Sequence, residues 1–231
     1  MNLPVLAIRP EPGCGATVEA GRAVGLTIEP CPLWEIRPLA WDPPPPERID
    51  GLLLGSANAL RHGGPDLARF RAKPAYAVGE ATAEIAEAAG FPVAATGRGG
   101  LQSLLDQVAG SRLRLLRLTG SEHVPLSPPA GIEIDTRIAY ESVPLPLPEG
   151  AAERLRGGAL VLLHSTAGAR HFAGECDRLR VPRGAIALAA LGARIAAGAG
   201  EGWRELRAAA EPREAALLAL ARDMCHEPPA S

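Results

Sequence analysis

Short apolar runs recur along this chain, and most of them break at a glycine or a hydroxyl residue before an alanine-rich, helix-periodic stretch. PVLAIRP (4–10) is closed by proline, and a glycine-containing turn then leads into the amphipathic ATVEAGRAVG. Residues 27–39, TIEPCPLWEIRPL, read as extended and proline-punctuated, and DPPPPE (42–47) makes a stiff break. From Ile49 the alternation restarts: IDGLLLG leads into SANALRHG, AYAVG into EATAEIAEAAG, FPVAATG into GLQSLLDQVAG, and LRLLRLTG into SEHVPLSPPAG. A second long extended segment, IEIDTRIAYESVPLP (132–146), precedes GALVLLHS with TAGARHFAGECDRL, AIALAA with LGARIAAGAG, and WRELRAAA with EPREAALLALARDM. Glu211-Pro212 ahead of an Ala/Leu run marks the start of the last helix.

Strands alternating with helices of about ten residues predict a doubly wound α/β protein with parallel sheets. The extended segments 27–39 and 132–146 flank the middle block. Paired as an antiparallel ribbon, with linker strands at about 31–39 and 136–144, they divide the chain into two lobes. Residues 1–34 with 145–231 form lobe one, and residues 35–144 form lobe two. An internal repeat supports two similar lobes. GLLLGSANALRHG (51–63) parallels LVLLHSTAGARHFAG (160–174), and AYAVGEATAEIAEAAGF (75–91) parallels AIALAALGARIAAGAGEGW. Ser56 to Gly79 and Ser165 to Leu188 are both 23 positions apart, so order and spacing agree.

Composition narrows the chemistry. The chain has 231 residues, 47% hydrophobic and 22% charged, as expected of a globular protein with one large or two small domains. No apolar run approaches the roughly 18–20 residues that span a bilayer. MNLPVLAIRPEPG has neither a basic n-region nor a signal-type apolar core, which points to the cytosol. A net charge of −2 and 3% aromatics give no attraction to nucleic acid and no base-stacking platform. Cys14, Cys31, Cys176 and Cys225 form no C-x-x-C pair, and the five histidines show no zinc-ligand spacing. Cys225-His226 near the end is the weak exception. Free thiols and no metal are the expectation.

Ligands of parallel sheets sit beyond the carboxyl ends of the strands, where helices begin. The residues there are Arg9 and Pro10; Ser56, Ala57 and Asn58; Gly79, Glu80, Ala81 and Thr82; Thr119, Gly120 and Ser121; and Ser165, Thr166 and Ala167. Most are small or hydroxylated, so exposed backbone N–H groups at helix starts favour an anion. The same residues also serve as ordinary N-caps. GRGG (97–100) lacks dinucleotide-binding spacing, and Walker A and G-x-S-x-G sequences are absent. No carboxylate pair stands out as an acid/base couple. The residues alone therefore describe a cofactor-free, two-lobed protein with an anion-friendly cleft.

In order along the chain, the motifs resemble those of the uroporphyrinogen-III synthase family. IRPEPG is similar to that family's T-R-P-x-P-G-like turn, LLLGSANALR to an apolar strand followed by T-S-x-N-A-V, and AYAVGEATAEIAEAAGF to V-G-x-x-T-A…G-F. RLLRLTGSEHVPLSPPAGIEIDTRIAYES resembles a strand, a G-x-x-R/H loop and a linker strand ending V-Y-E-T, and EPREAALLAL resembles the C-terminal P-T-x-x-A-L-L helix. The resemblance runs from residue 4 to about 220.

It implies two flavodoxin-like lobes joined by a two-stranded antiparallel linker. It also implies a reaction: hydroxymethylbilane loses water from its ring A hydroxymethyl carbon, and the resulting azafulvene is attacked by ring D through its substituted carbon. A spiro intermediate then fragments and recloses with ring D inverted. On this resemblance Tyr140, the tyrosine of AYES, is the catalytic candidate for assisting departure of the hydroxyl. The substrate-binding candidates are Arg9, Ser56, Ala57, Asn58, Gly79, Glu80, Ala81, Thr82, Gly120, Ser121, Ser165 and Thr166. The partners implied are the bilane, with eight carboxylates, and transient contact with the preceding bilane-forming enzyme; the protein is expected to be a monomer. Departures from the pattern are LAALGARIA (188–196), without Gly-Pro or Thr, LHSTAG in place of F-S-P-R/S, and Gly55 in place of Thr. These keep open an alternative, a non-catalytic two-lobed binding or regulatory protein for an anionic tetrapyrrole-like ligand. They also predict that Gly79 to Thr82 is the stronger binding side.

Overall fold

The computed structural model describes residues 3–226, with the side chain of His226, and so the Cys225-His226 pair, outside the description. The first elements are β1 (Val5–Ala7), α1 (Gly13–Ala23), β2 (Ile28–Pro30), β3 (Trp34–Pro38), β4 (Gly51–Leu54) and α2 (Ala57–His62). The middle of the chain supplies β5 (Ala75–Val78), α3 (Glu80–Ala88), β6 (Val93–Gly97), α4 (Leu101–Gln107), β7 (Leu113–Gly120) and β8 (Ile132–Pro144). Then come α5 (Glu149–Arg156), β9 (Ala159–Leu163), α6 (Thr166–Arg178), β10 (Ile186–Ala190), α7 (Ala193–Gly198), β11 (Glu205–Ala208) and α8 (Glu214–His226). The chain divides into two compact units, Met1–Glu35 with Val143–Ser231, and Ile36–Ser142.

The first unit holds a five-stranded sheet of order β11-β10-β9-β1-β2, parallel throughout. In chain order within the unit this is 2-1-3-4-5, the flavodoxin-like arrangement. Alternate side chains of each strand enter separate cores: Val161 and Leu163 of β9 lie with Leu6, while Leu160 and Leu162 lie with Val5 and Ala7. A strand buried on both faces has no use for polar alternation, which is why ALVLL and IALAA are wholly apolar.

The second unit holds a six-stranded sheet, β3-β8-β7-β4-β5-β6. Leu52 and Leu54 fill one face with Leu116 and Leu118, and Leu53 fills the other with Leu115. Set beside each other, β4-β5-β6-β7-β8 and β9-β10-β11-β1-β2 occupy the same places in the two sheets. The sheets are one pattern entered at different strands, with β4 matching β9 and β5 matching β10, as in the internal repeat.

Hydrogen bonds from Leu39 N to Ala139 O (2.8 Å) and from Leu145 N to Leu33 O (2.9 Å) show β3 and β8 running antiparallel. β8 is more than a ribbon strand, because residues 132–140 also pair in parallel with β7. A further expectation fails after β7. Instead of a helix, residues 121–131 cross to β8 as an irregular loop. Pro125, Pro128 and Pro129 explain this, since proline lacks an N–H and blocks helix propagation. In the first unit the matching connection, β1 to β2, is the helix α1. The helix α5 (EGAAERLR) was not anticipated from the sequence.

Candidate functional site

β4 and β7 are neighbours from which the chain departs in opposite directions, so their carboxyl ends form the switch point of the second unit. A cavity of about 440 Å³ opens there. Gly55 and Ser56 follow β4, Gly99 to Gln102 lead into α4, and Glu122 to Leu126 belong to the proline-rich loop. Val78 of β5, Arg117, Leu118 and Thr119 of β7, and Tyr140 of β8 complete the lining. The absent helix after β7 shapes this space: the loop lies over the face that a crossover helix would cover, with Leu126 packed beside Leu53 and Leu104.

A register shift between Thr119 and Gly120 aims Tyr140, pairing Thr119 with Ile138 but Gly120 with Tyr140. Ile132 and Ile134 of β8 pack on one face of the sheet, whereas Ala139 and Tyr140 pack with the core of the other. Gly120 admits the ring, for a Cβ there would stand 2.7 Å from Tyr140 Cε2. The His62 ring lies 6.1 Å from that of Tyr140. Burial, aided by the charge of Arg61, lowers the pKa of His62. Arg117 is 5% exposed and donates from Nη2 to Val124 O (2.9 Å), while its buried Nε has no partner. Burial presses this guanidinium below the ordinary arginine range, with the nearby Tyr140 acting in the opposite direction.

Ser56 caps α2, accepting from Asn58 N at 3.2 Å, and its own O–H remains available to donate. Asn58 in turn accepts from Arg61 (3.4 Å), and Ala57 opens the helix. Gly79, at φ +80°, precedes α3, and the exposed Glu80 on its first turn pairs with Arg98 at 2.9 Å. Ala81 is exposed, whereas Thr82, 6% exposed, is turned inward with Ala83 and Ala86. Gly120 ends β7 and Ser121 follows it, with Ser121 N bonded to Tyr140 O at 2.9 Å. They lie at a loop rather than a helix start, which corrects that part of the expectation. Of the second unit's candidates, Ser56 and Tyr140 share the cavity; the 79–82 turn approaches it only through Val78.

The first unit's switch point, between β1 and β9, is built differently. Ser165 caps α6 through Gly168 N (3.0 Å), and Thr166 reaches Arg194 O at 3.5 Å. Arg9, a substrate-binding candidate, pairs with Glu214 at 3.3 Å. The same carboxylate accepts from Thr17 Oγ1 (2.6 Å) and bonds His164 Nε2 (3.1 Å). Thr17 is fully buried and the His164 side chain 6% exposed, with Nδ1 buried and unpartnered. Burial opposes the charge on Glu214, but the hydrogen bonds from His164 and Thr17 and the charges of His164 and Arg9 outweigh it. The Glu214 carboxyl therefore titrates below the usual glutamate range.

The sequence reading missed Arg117 and the Thr17–His164–Glu214 cluster. The signal for Arg117 was its place among the leucines of LRLLRL, which it shares with Arg114. The cluster gave none, because its members are separated by up to 197 positions. Cys14, Cys31 and Cys176 are buried free thiols, and burial raises the last two to about 11 and about 12. Among the described residues no group of His, Cys, Asp or Glu could hold a metal, and no helix is long and apolar enough to cross a membrane.

No curated protein matches the chain in sequence. In fold, it is similar to the crystal structure of uroporphyrinogen-III synthetase from Helicobacter pylori, at TM-score 0.66 and 17% identity, with 96% of this chain and 99% of that one covered. A mutant uroporphyrinogen III synthase from Thermus thermophilus matches at TM-score 0.51 and 17% identity, covering 97% and 100%. At such identities the likeness establishes the architecture, two parallel-sheet lobes of mixed α/β type. The model of the family described as uroporphyrinogen-III synthase HemD matches residues 15–219, nearly the whole chain, and the chain belongs to that family.

Proposed function

We propose that this chain performs its family's cyclisation at the switch-point cavity of the second unit, with Tyr140 as the group that assists departure of water. The family's members are cyclising lyases of porphyrin and haem biosynthesis, and the reaction is the closure of hydroxymethylbilane to uroporphyrinogen III with ring D inverted. The observation that carries the location is the meeting of Tyr140, Ser56 and a buried cation in one cavity beyond the strand ends.

The chemistry asks mainly for orientation, because the bilane closes unaided to the other isomer. A phenol O–H hydrogen-bonded to the departing hydroxyl eases C–O cleavage, and the ring A pyrrole nitrogen supplies the electrons. The expected contribution is about 10²-fold, the lower end for general acid assistance. Ser56, Ala57, Asn58, Gly79 to Thr82, Gly120, Ser121, Ser165 and Thr166 are proposed as weaker donors to the carboxylate arms. Arg9 joins them only if its pairing with Glu214 is exchanged for substrate. The reading extends to a monomer working without a cofactor in the cytosol, and to transient contact with the enzyme that makes its unstable substrate. The test is bilane cyclisation coupled to that preceding enzyme: predominance of the type III isomer supports the reading, and type I alone overturns it.

A further inference from the structure

Position 117 is one where the fold calls for an apolar side chain. Leu115, on the same face of β7, and Leu116 and Leu118 on the other are buried among leucines. Arginine stands there instead, 5% exposed, with a single hydrogen bond to Val124 O and a buried, unpartnered Nε. Among the described residues no carboxylate forms an ion pair with it, and the exposed Glu122 in the same lining leaves it unpaired. A guanidinium taken out of water without an anion is costly, and such a group is retained where an anion arrives.

The first unit shows what is missing. Leu53 lies beside Arg117 in the sheet, as Leu162 lies beside Ala7. Matching 51–56 with 160–165 sets Gly55 against His164. The helix after β6 begins at Leu101 and the helix after β11 begins at Glu214. His164 and Glu214 fill the first switch point with an internal carboxylate. Gly55 and Leu101 touch at the second, where a Cβ on Gly55 would stand 2.9 Å from Leu101 Cδ1, and both line the open cavity.

We propose that Arg117 is a carboxylate-binding residue, taking one acetate or propionate arm of the tetrapyrrole into the cavity at the ends of β4 and β7. This rests on the cyclisation reading above. The planar fork suits a carboxylate, and Nη2 is already positioned by Val124 O.

The experiment compares wild type, Arg117→Met and Arg117→Lys by uroporphyrin III titration, by KM and kcat for hydroxymethylbilane, and by thermal unfolding. Arg117→Met should weaken uroporphyrin binding and raise KM about 10- to 100-fold, the span for a charged hydrogen bond. It should melt no lower than wild type, because an uncompensated buried charge has been removed. Arg117→Lys should bind with intermediate strength. Unchanged affinity in Arg117→Met overturns the proposal, as does a lowered melting temperature, which would make Arg117 a strut for the loop. A wild-type protein that yields only type I product overturns the cyclisation reading itself, so the two failures are distinct.

Discussion

Replacing Glu214 by Gln keeps the shape of the first unit's switch point and removes the charge that organises it. The carboxylate accepts from Thr17, His164 and Arg9 at 2.6, 3.1 and 3.3 Å. A glutamine amide has one acceptor oxygen, and its NH2 would face donors. At least one buried donor, the Thr17 hydroxyl or the His164 N–H, then loses its acceptor at about 1–3 kcal/mol. The Arg9 pair is about a third exposed on both sides and adds less than about 1 kcal/mol. The loss at pH 7 should be about 1–4 kcal/mol, a fall of about 3–15 °C in the melting of the first unit. Trp34 and Trp203 lie in that unit and Trp41 in the other. Fluorescence-detected urea unfolding in a Trp41→Phe background therefore isolates the transition. The sign with pH follows from the lowered carboxyl. The charge contributes fully above the unfolded value of about 4.5, and its contribution is lost as pH falls through the lower folded value. The gap between wild type and Glu214→Gln should close in that acid range. A gap under about 0.5 kcal/mol at pH 7, or one that does not narrow as pH falls below the unfolded carboxyl value, refutes the reasoning.

Tyr140→Phe should lower kcat about 100-fold with little change in KM, and unchanged turnover would make Tyr140 structural. Gly120→Ala should act on the same step by displacing the ring, since its Cβ would meet Cε2 at 2.7 Å, and should cost about 1–3 kcal/mol of stability; the product isomer ratio and a melting curve check both. Glu175, 9% exposed, accepts from Leu147 N at 2.6 Å and from Arg178 at 2.6 and 2.9 Å. Its pKa is lowered chiefly by the Arg178 hydrogen bond. Glu175→Gln should therefore destabilise the first unit by about 1–3 kcal/mol at pH 7, and the deficit should fade in acid below the unfolded carboxyl value, as chemical denaturation at pH 7 and pH 3 would show. Gly79→Ala should cost about 1–3 kcal/mol in thermal unfolding, because φ +80° strains any side chain.

The fold class was legible because strands buried on both faces leave a strong trace: GLLL, ALVLL and IALAA cannot be surface segments. The hydroxyl caps were legible for the same local reason, since Ser56 and Ser165 each satisfy an N–H two or three residues away. The strand–helix alternation does not hold after β7, where three prolines fall within five residues, 125–129. The helix α5 went unnoticed because its charged, short sequence buries little beyond Ala151, Ala152 and Leu155. Contacts such as Arg9 with Glu214, 205 positions apart, exist only once the sheet order is known. That Arg117 has no carboxylate partner among the described residues is still less visible, because its neighbours too are known only from the sheet order.

The sequence placed the asymmetry between the lobes at two helix starts, 79–82 against 188–192. The structure places a stronger asymmetry one strand away. Each unit has an arginine near its switch point, but at different places: Arg9 lies two residues past β1, and Arg117 lies within β7 at the sheet position of Ala7. In the first unit the neighbouring helix presents Glu214 and the charge is answered internally. In the second, Leu101 stands at the corresponding helix start, Gly55 replaces the bulk of His164, and an eleven-residue loop (121–131) replaces a helix. Each of these differences removes either a partner or a volume, and all three fall on the same side. Their concentration around one unanswered cation is the arrangement that the carboxylate-binding role proposed for Arg117 requires.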